Sequence, residues 1–284
     1  MNSNFPHRVV ILLIVAASMA TFAAPAAAQP TGGLSFQATL DSIKVDAQPR
    51  QVVTRQFKLT LDEDQKATRF RARVEDWWRS EDGAQSFYGE PGTLRHSCAR
   101  WVSLNPVESS VNPGETLVIR ITISVPVEIA SAGYWCALTV DEIPDPLASS
   151  TGVGVRFVAS VSTGIFVNVG SVVRSARVID LQVSGEQAFV KVRNEGNAPV
   201  GVDGTLEFYA PGATTPTATA VVPRRTLLPE PSIEGTLTAR LPTDAELPSG
   251  RYRVRVILDY GAAHYIGAER EMEIVRGTPA TAAR

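Results

Sequence analysis

The chain of 284 residues carries 27 Lys and Arg against 29 Asp and Glu, a formal net charge of −2 at neutral pH. This balance gives no general attraction to nucleic acid, so no nucleic-acid partner is expected. With only 3 His and 2 Cys, the chain has almost no material for a histidine-based triad or a multi-ligand metal site, and we expect neither an enzyme nor a cofactor-binding protein.

The N-terminus has the order of a secretory signal. Arg8 supplies a positive start, residues 9–24 are apolar, and three alanines at 26–28 precede Gln29 as a cleavage site would. The apolar run of about sixteen residues is shorter than the roughly 20 that a membrane-spanning helix needs. We therefore expect a signal peptide over residues 1–28 and no membrane insertion after its cleavage, with an uncleaved anchor as the alternative.

Residues 29–172 are predicted to form the first domain, because apolar and polar residues alternate there as they do in half-buried strands. Turn signals such as the segment NPGE at residues 112–115 separate these runs. The apolar stripes are Phe57/Leu59/Leu61, Phe70/Ala72/Val74, Leu117/Ile119/Ile121/Ile123/Val125 and Tyr134/Cys136/Leu138/Val140. A longer stripe closes the domain and consists of Val153, Val155, Phe157, Ala159, Val161, Ile165 and Val167.

The two cysteines, Cys98 and Cys136, belong to this domain. Thiols of an exported chain tend to be oxidised, and an even count leaves none unpaired. We therefore predict one disulfide between them.

Residues 173–276 are predicted to form a second domain with its own set of strands. Residues 178–183 and 188–193 flank a Ser-Gly-Glu turn, and the run from Tyr252 to Tyr260 alternates in the same way. About seven short strands in each half, with frequent turn signals, are typical of immunoglobulin-like sandwiches. The fold prediction is thus all-β, with two tandem immunoglobulin-like β-sandwich domains joined near residues 170–176 and a flexible tail at 277–284.

Several motifs come in a recognisable order. SCARWVSLNP (97–106) is followed by VNPGE (111–115), VP (125–126) and GYWC (133–136). This series resembles the first domain of periplasmic pilus chaperones, the PapD-like proteins, and related bacterial cell-surface modules. In the second half, LPSGRY (247–252) and LDYG (258–261) resemble the second domain of such surface proteins.

The resemblance implies a periplasmic, non-enzymatic protein whose partner is a pilus or surface-fibre subunit. In pilus chaperones the last strand of the first domain is lent to the subunit by strand addition, and the client's terminal carboxylate is held by a cleft arginine and a lysine of that strand. Here the strand carries Ser-Thr-Gly at 162–164 and one basic residue, Arg156, so Arg55 is the candidate for the cleft arginine. If the strand is lent to a partner, the residues expected to bind that partner are Val155, Phe157, Ala159, Val161 and Ile165. The alternative is an ordinary buried strand.

Trp77, Trp78 and Trp135 form a second candidate contact surface. Because Trp135 follows Tyr134 on an alternating strand, we expect it to point away from the core and to contact a partner. The arginine rows at 69–73 and 251–255 are either outward sheet faces or sites for acidic partners or glycans.

Three functions are compatible with these features. The first is a chaperone-like protein of pilus or surface-fibre assembly, and the second is a secreted or cell-surface adhesive or structural module. The third is a glycan-cleaving enzyme that uses paired acids such as Asp141 and Asp145, although their context gives no sign of a cleft or of raised pKa values.

Overall fold

A computed structural model describes residues 34–38, 42–88, 90–144 and 158–276. The predicted signal peptide, the tail at 277–284, and Val155, Phe157 and Arg156 lie outside the described residues. From Leu34 onward the chain is one compact unit.

The first half is built from ten strands in the described ranges, joined in two sheets. One sheet has the order β1-β3-β8-β6, and the other has the order β2-β10-β9-β4-β5, with β7 also pairing with β4. All pairs are antiparallel except β2 with β10, which are parallel. The strands are β1 (Phe36–Ala38), β2 (Ile43–Ala47), β3 (Val52–Leu61), β4 (Thr68–Arg79), β5 (Gln85–Tyr88), β6 (Val102–Asn105), β7 (Glu108–Val111), β8 (Thr116–Ser124), β9 (Ala132–Ile143) and β10 (Ser160–Val169).

The first core lies between these two sheets, and the alternating stripes produce it. Each second side chain of a strand faces the same side, so β3 and β8 place all their odd-numbered aliphatic residues inward. The predicted stripes are largely confirmed, since the residues of β3, β8 and β9 named above are buried in one cluster. Val74 is only partly buried at its margin. The turn at 112–115 also forms, with Gly114 at a φ of 75°, which a side chain would disfavour.

The predicted disulfide is confirmed. The sulfurs of Cys98 and Cys136 are bonded, with a Cα–Cα distance of 5.4 Å, and both residues are buried. Cys136 lies in the middle of β9, while Cys98 directly precedes a single 3-10 turn, Ala99–Trp101. The bond therefore ties the long β5–β6 connection to the central strand of the larger sheet.

The second half is a sandwich of seven strands, with one sheet in the order β11-β12-β15 and the other in the order β14-β13-β16-β17. The strands are β11 (Ala176–Ser184), β12 (Gln187–Asn194), β13 (Val200–Tyr209), β14 (Ala218–Leu227), β15 (Glu234–Arg240), β16 (Gly250–Asp259) and β17 (Ile266–Ile274). Its own core is separate from the first. The two-sandwich, all-β prediction is thus correct, with no α-helix in the described ranges.

Two strands, β2 and β14, were not predicted from the sequence. β2 has only five residues, too few for a convincing periodic pattern. β14 contains Pro223 and two consecutive arginines, and its alternation is interrupted. Proline is tolerated there because β14 is at the edge of its sheet. The first core ends at Val169 and the second begins at Ala176; the boundary at 172/173 stays a prediction.

Candidate partner-binding site

One edge of β10 is covered over only part of its length by the strands that the structure describes. β9 pairs with β10 from Ser160 to Val169, whereas β2 pairs with the opposite edge only from Ile165 to Val169. In the described ranges, no strand pairs with this edge at residues 160–162, which we call the open segment. A strand edge of this kind is a place where an added strand can pair.

The sequence-predicted residues of this strand have different environments. Ala159 and Val161 are partly buried beside the open edge, and Val161 packs against the first core. Ile165 is fully buried in that core, with 0% of its surface exposed. The prediction that Ile165 contacts a partner is therefore wrong, because it faces the opposite sheet where β2 closes the edge. Val155 and Phe157 lie outside the described residues.

Trp135 does point away from the first core, as predicted, but it is not exposed. Only 1% of its surface is accessible, because it packs in a separate cluster with Trp77, Ala137 and Leu228, the last from the second sandwich. Its Nε1 donates to the carbonyl of Trp77 at 2.8 Å. The prediction of a partner-contacting Trp135 is thus wrong, since the second sandwich covers the outer face of the sheet here.

Trp77 is buried in the same cluster. Its Nε1 donates to the carbonyl of Cys136 at 3.1 Å, and its ring meets Phe166 edge to face at 6.0 Å. Both indole donors are therefore satisfied inside the protein. Trp78 packs at the margin of the cluster.

Polar contacts surround this cluster and hold the two sandwiches together. The amide of Gly133 donates to the carbonyl of Asn197 at 2.8 Å, and the Asn197 side chain donates to the carbonyl of Ser131 at 3.0 Å. Further along, the carboxylate of Glu81 lies 2.8 Å from the ammonium of Lys191. The backbone of the β4–β5 hairpin accepts from Thr236 of β15 at 2.8 Å.

His96 adds a titratable group to the same interface. Its Nδ1 is 3.1 Å from a carboxylate oxygen of Glu230 in the second sandwich, and its ring packs edge to face on Tyr134 and Trp135. Burial lowers the pKa of His96, Glu230 opposes that change, and Arg95 adds to it. The neutral imidazole is therefore the form that the folded protein favours.

A basic cleft lies between the sandwiches beside the closed half of β10. It has a volume of ≈ 690 Å³, and its lining includes Lys44 of β2, Phe166 of β10, Arg174 of the connection and Arg224 of β14. Lys44 is directly opposite Phe166 in the parallel β2–β10 pairing. Arg224 is paired with Asp203, whereas Lys44 and Arg174 form no ion pair with a described residue.

Arg55, which the sequence offers as the cleft arginine, does not lie at this cleft. It lies on β3 in the opposite sheet, where its guanidinium donates to the carbonyl of Thr54. Lys44 was missed because only the parallel register of β2 with β10 brings it to this place. Arg224 was missed because β14 was not predicted, and Arg174 was missed because it lies in the connection between β10 and β11, which has no strand pattern.

Both arginine rows are engaged in ion pairs across neighbouring strands. In the first sandwich, Arg71 lies 2.6 Å from Glu108 and Arg73 lies 2.7 Å from Asp141. In the second, Arg253 and Arg255 lie 3.1 and 2.7 Å from Glu269 and Glu207, and Arg251 pairs with Glu271. The outward-face interpretation accounts for these rows.

Asp141, one of the two acids considered for glycan cleavage, has a lowered pKa rather than the raised pKa of a general acid. Burial raises the pKa of Asp141, but hydrogen bonds from Arg73 and Ser160 outweigh this effect and leave that pKa below its usual range. A general acid needs the opposite shift. Asp145 lies outside the described residues.

The described ranges contain no cluster of three or more His, Cys, Asp and Glu side chains arranged to hold a metal ion. In the same ranges, no helix has both the length and the apolar character needed to cross a membrane.

Comparison with known proteins gives structural similarities only. No protein-family model matches the chain, and no curated protein matches its sequence. The chain is similar to fimbrial chaperones along most of its length. The class 5 fimbriae chaperone CfaA has 11% identity and a TM-score of 0.46, and the alignment covers 84% of this chain and 98% of that chain.

Two further solved structures are similar to the same extent. The CupB2 chaperone of Pseudomonas aeruginosa is 12% identical with a TM-score of 0.44, over 84% of this chain and 100% of that chain. The complex of CsuC with the tip adhesion subunit CsuE, from archaic chaperone–usher Csu pili of Acinetobacter baumannii, gives 13% identity, a TM-score of 0.45, and coverage of 86% and 100%.

Proposed function

We propose that this protein is a non-enzymatic, periplasmic chaperone-like protein that binds a subunit of a pilus or surface fibre by β-strand addition. The observation that carries the proposal is the edge of β10 at residues 160–162, with which no described strand pairs, whereas β2 pairs with the same edge from Ile165 onward. The motif series of the first domain supports the same function.

Strand addition here would have two components. Main-chain hydrogen bonds along residues 160–162 would give affinity, while side chains on alternate positions would fill an open core in the client. Ala159 and Val161 are placed for the second role, since both are only partly buried. In the sequence, Val155 and Phe157 belong to the same alternating stripe.

The basic cleft supplies an anchor for one end of the added strand. Lys44 lies on β2, which pairs with β10 directly beyond the open segment, and Arg174 faces the same cleft. Neither has an acidic partner among the described residues, so an incoming carboxylate would form charge-assisted hydrogen bonds without displacing an existing ion pair. We therefore propose that a client's terminal carboxylate binds there.

The strand-addition step is tested with Val161→Asp. A charge at this position would be forced against the client's apolar core, and we expect co-purification of the subunit from the native host to be lost. Val221→Asp is the control, because Val221 is 71% exposed on the second sandwich. Circular dichroism establishes that both variants are folded. Unchanged capture by a folded Val161→Asp protein would contradict strand addition and favour a surface module without chaperone activity.

The anchor is tested separately with Lys44→Gln combined with Arg174→Gln. Each charge-assisted hydrogen bond contributes about 1.5–3 kcal/mol, so the double variant should bind the same subunit at least tenfold more weakly. Lys66→Gln, in an exposed turn, should bind like the wild type. Equal binding by all three proteins would exclude the cleft as the anchor.

A further inference from the structure

The connection between β10 and β11 carries Arg174, the one cation named at the basic cleft that lies outside a strand. Its neighbours on both sides are held by the turn between β12 and β13. The amide of Val173 donates to Oδ1 of Asn197 at 2.7 Å, and the carbonyl of Val173 accepts from the amide of Asn197 at 3.0 Å. The carbonyl of Ser175 accepts from the amide of Glu195 at 2.8 Å. The backbone is therefore fixed immediately before and after Arg174.

Asn197 also bonds to the first sandwich. Its Nδ2 donates to the carbonyl of Ser131 at 3.0 Å, and its own carbonyl accepts from the amide of Gly133 at 2.8 Å. Together with the two bonds to Val173, these contacts use all the hydrogen-bonding groups of its backbone and both polar atoms of its side chain. One residue of the second sandwich therefore holds the connection and the first sandwich at the same time.

The turn that carries Asn197 lies directly against the connection because residue 196 is a glycine. A Cβ atom there would be 2.2 Å from the carbonyl oxygen of Val173 and 3.0 Å from the amide nitrogen of Ser175. The turn has a buried base in Asn194, whose side chain is 2% exposed and accepts from the amide of Gly196 at 3.0 Å. Any side chain at residue 196 would push the connection away from this base.

The side chain of Arg174 differs from that of Arg224 in the same cleft. Arg224 is held by Asp203, whereas Arg174 is exposed and has no hydrogen bond or ion pair with a residue in the described ranges. Its place at the cleft is therefore set by its backbone. A fixed backbone lowers the conformational entropy that is lost when the guanidinium binds a ligand.

We propose that Asn197 is a positioning residue for Arg174. It holds the β10–β11 connection against both sandwiches and so keeps the guanidinium of Arg174 at the basic cleft, where a client's terminal carboxylate binds. This role rests on the proposed function, because it belongs to the anchor formed by Lys44 and Arg174. Asn197 does not line the cleft itself, so its effect on the client passes through Arg174.

A double-mutant cycle tests this role with the subunit that co-purifies from the native host. Arg174→Gln should bind that subunit about tenfold more weakly, and Asn197→Ala about threefold more weakly or worse. The variant with both changes should bind no more weakly than Arg174→Gln alone. A residue that only stabilised the fold would add its own effect to that of Arg174→Gln.

The matched control is Asn112→Ala, which removes a side-chain hydrogen bond to Glu115 in an exposed turn of the first sandwich. It should bind like the wild type. Gly196→Ala displaces the same connection without removing a side-chain donor, and it should show the same lack of additivity with Arg174→Gln. Circular dichroism establishes which variants are folded; if Asn197→Ala is not, Gly196→Ala decides.

Two results would overturn the positioning role and leave the anchor intact. The first is wild-type binding by folded Asn197→Ala while Arg174→Gln binds weakly. The second is full additivity in the double variant, which would assign Asn197 to the general contact between the sandwiches. Wild-type binding by Arg174→Gln is a different failure, because it would contradict the anchor of the proposed function and the role of Asn197 with it.

Discussion

Replacement of Leu228 by alanine should weaken the coupling between the two sandwiches while leaving both cores intact. Leu228 is 2% exposed and belongs to neither core; it packs with Trp77, Trp135 and Ala137 of the first sandwich. Truncation of a buried leucine to alanine typically costs about 2–5 kcal/mol, because apolar contact is lost and a cavity is left. We expect a loss of about 3 kcal/mol.

Urea denaturation followed by tryptophan fluorescence measures this loss. With a slope of about 2–3 kcal/mol per molar urea, the midpoint of the affected transition should fall by about 1–1.5 M. Trp77, Trp78 and Trp135 all lie in the cluster, so the emission of the folded variant should shift to the red as water reaches the indoles.

The matched control is Val221→Ala on β14, where 71% of the side chain is exposed. A substitution of this kind should change the free energy of unfolding by no more than about 0.5 kcal/mol. The reasoning would be refuted if Leu228→Ala behaved like this control, with the wild-type midpoint and emission maximum, because Leu228 would then contribute nothing to the contact.

Three further predictions concern residues of the first sandwich. Replacing Cys98 and Cys136 by serine should cost up to about 4 kcal/mol for a loop of 38 residues, measured by urea midpoints, and the wild type with reductant should match the variant. The pKa of His96 in the folded protein is below its ordinary 6.5, so its contribution to stability is present above pH 6.5 and is lost as the pH falls toward the folded-state pKa. His96→Gln should therefore reduce the pH dependence of the urea midpoint below pH 6.5. An unchanged pH dependence would contradict this. Gly133→Ala should destabilise by about 1–3 kcal/mol, seen as a lower Tm, since its Cβ would lie 2.6 Å from Pro199 Cδ; an unchanged Tm would show that the interface yields at little cost.

Much of the fold could be predicted because alternation, turns and cysteine pairing are local signals. The stripes of β3, β8 and β9 and the turn at Gly114 depend on residues close together in the chain. The prediction of the disulfide needed only the cysteine count and the predicted export signal. These features require no knowledge of which strands are neighbours.

The site depends on neighbours that the sequence does not identify. Period-two alternation places Trp135 on the outer face of its sheet, but it does not reveal that Leu228 of another sandwich covers that face. Likewise, Ile165 and Val161 belong to the same stripe, and only the extent of the β2 pairing distinguishes the closed part of β10 from the open part. The same β2–β10 pairing places Lys44 at the basic cleft.

The polar side chains beside residues 160–162 of β10 affect how readily this edge pairs with other chains. An unpaired strand edge invites pairing with any extended chain, including another copy of this one. Here the segment is short, and its exposed side chains include Ser160 and Ser162, which bond to Asp141 and Thr139 of the adjacent strand. Water can solvate this polar edge, which disfavours its pairing with a second copy of the chain.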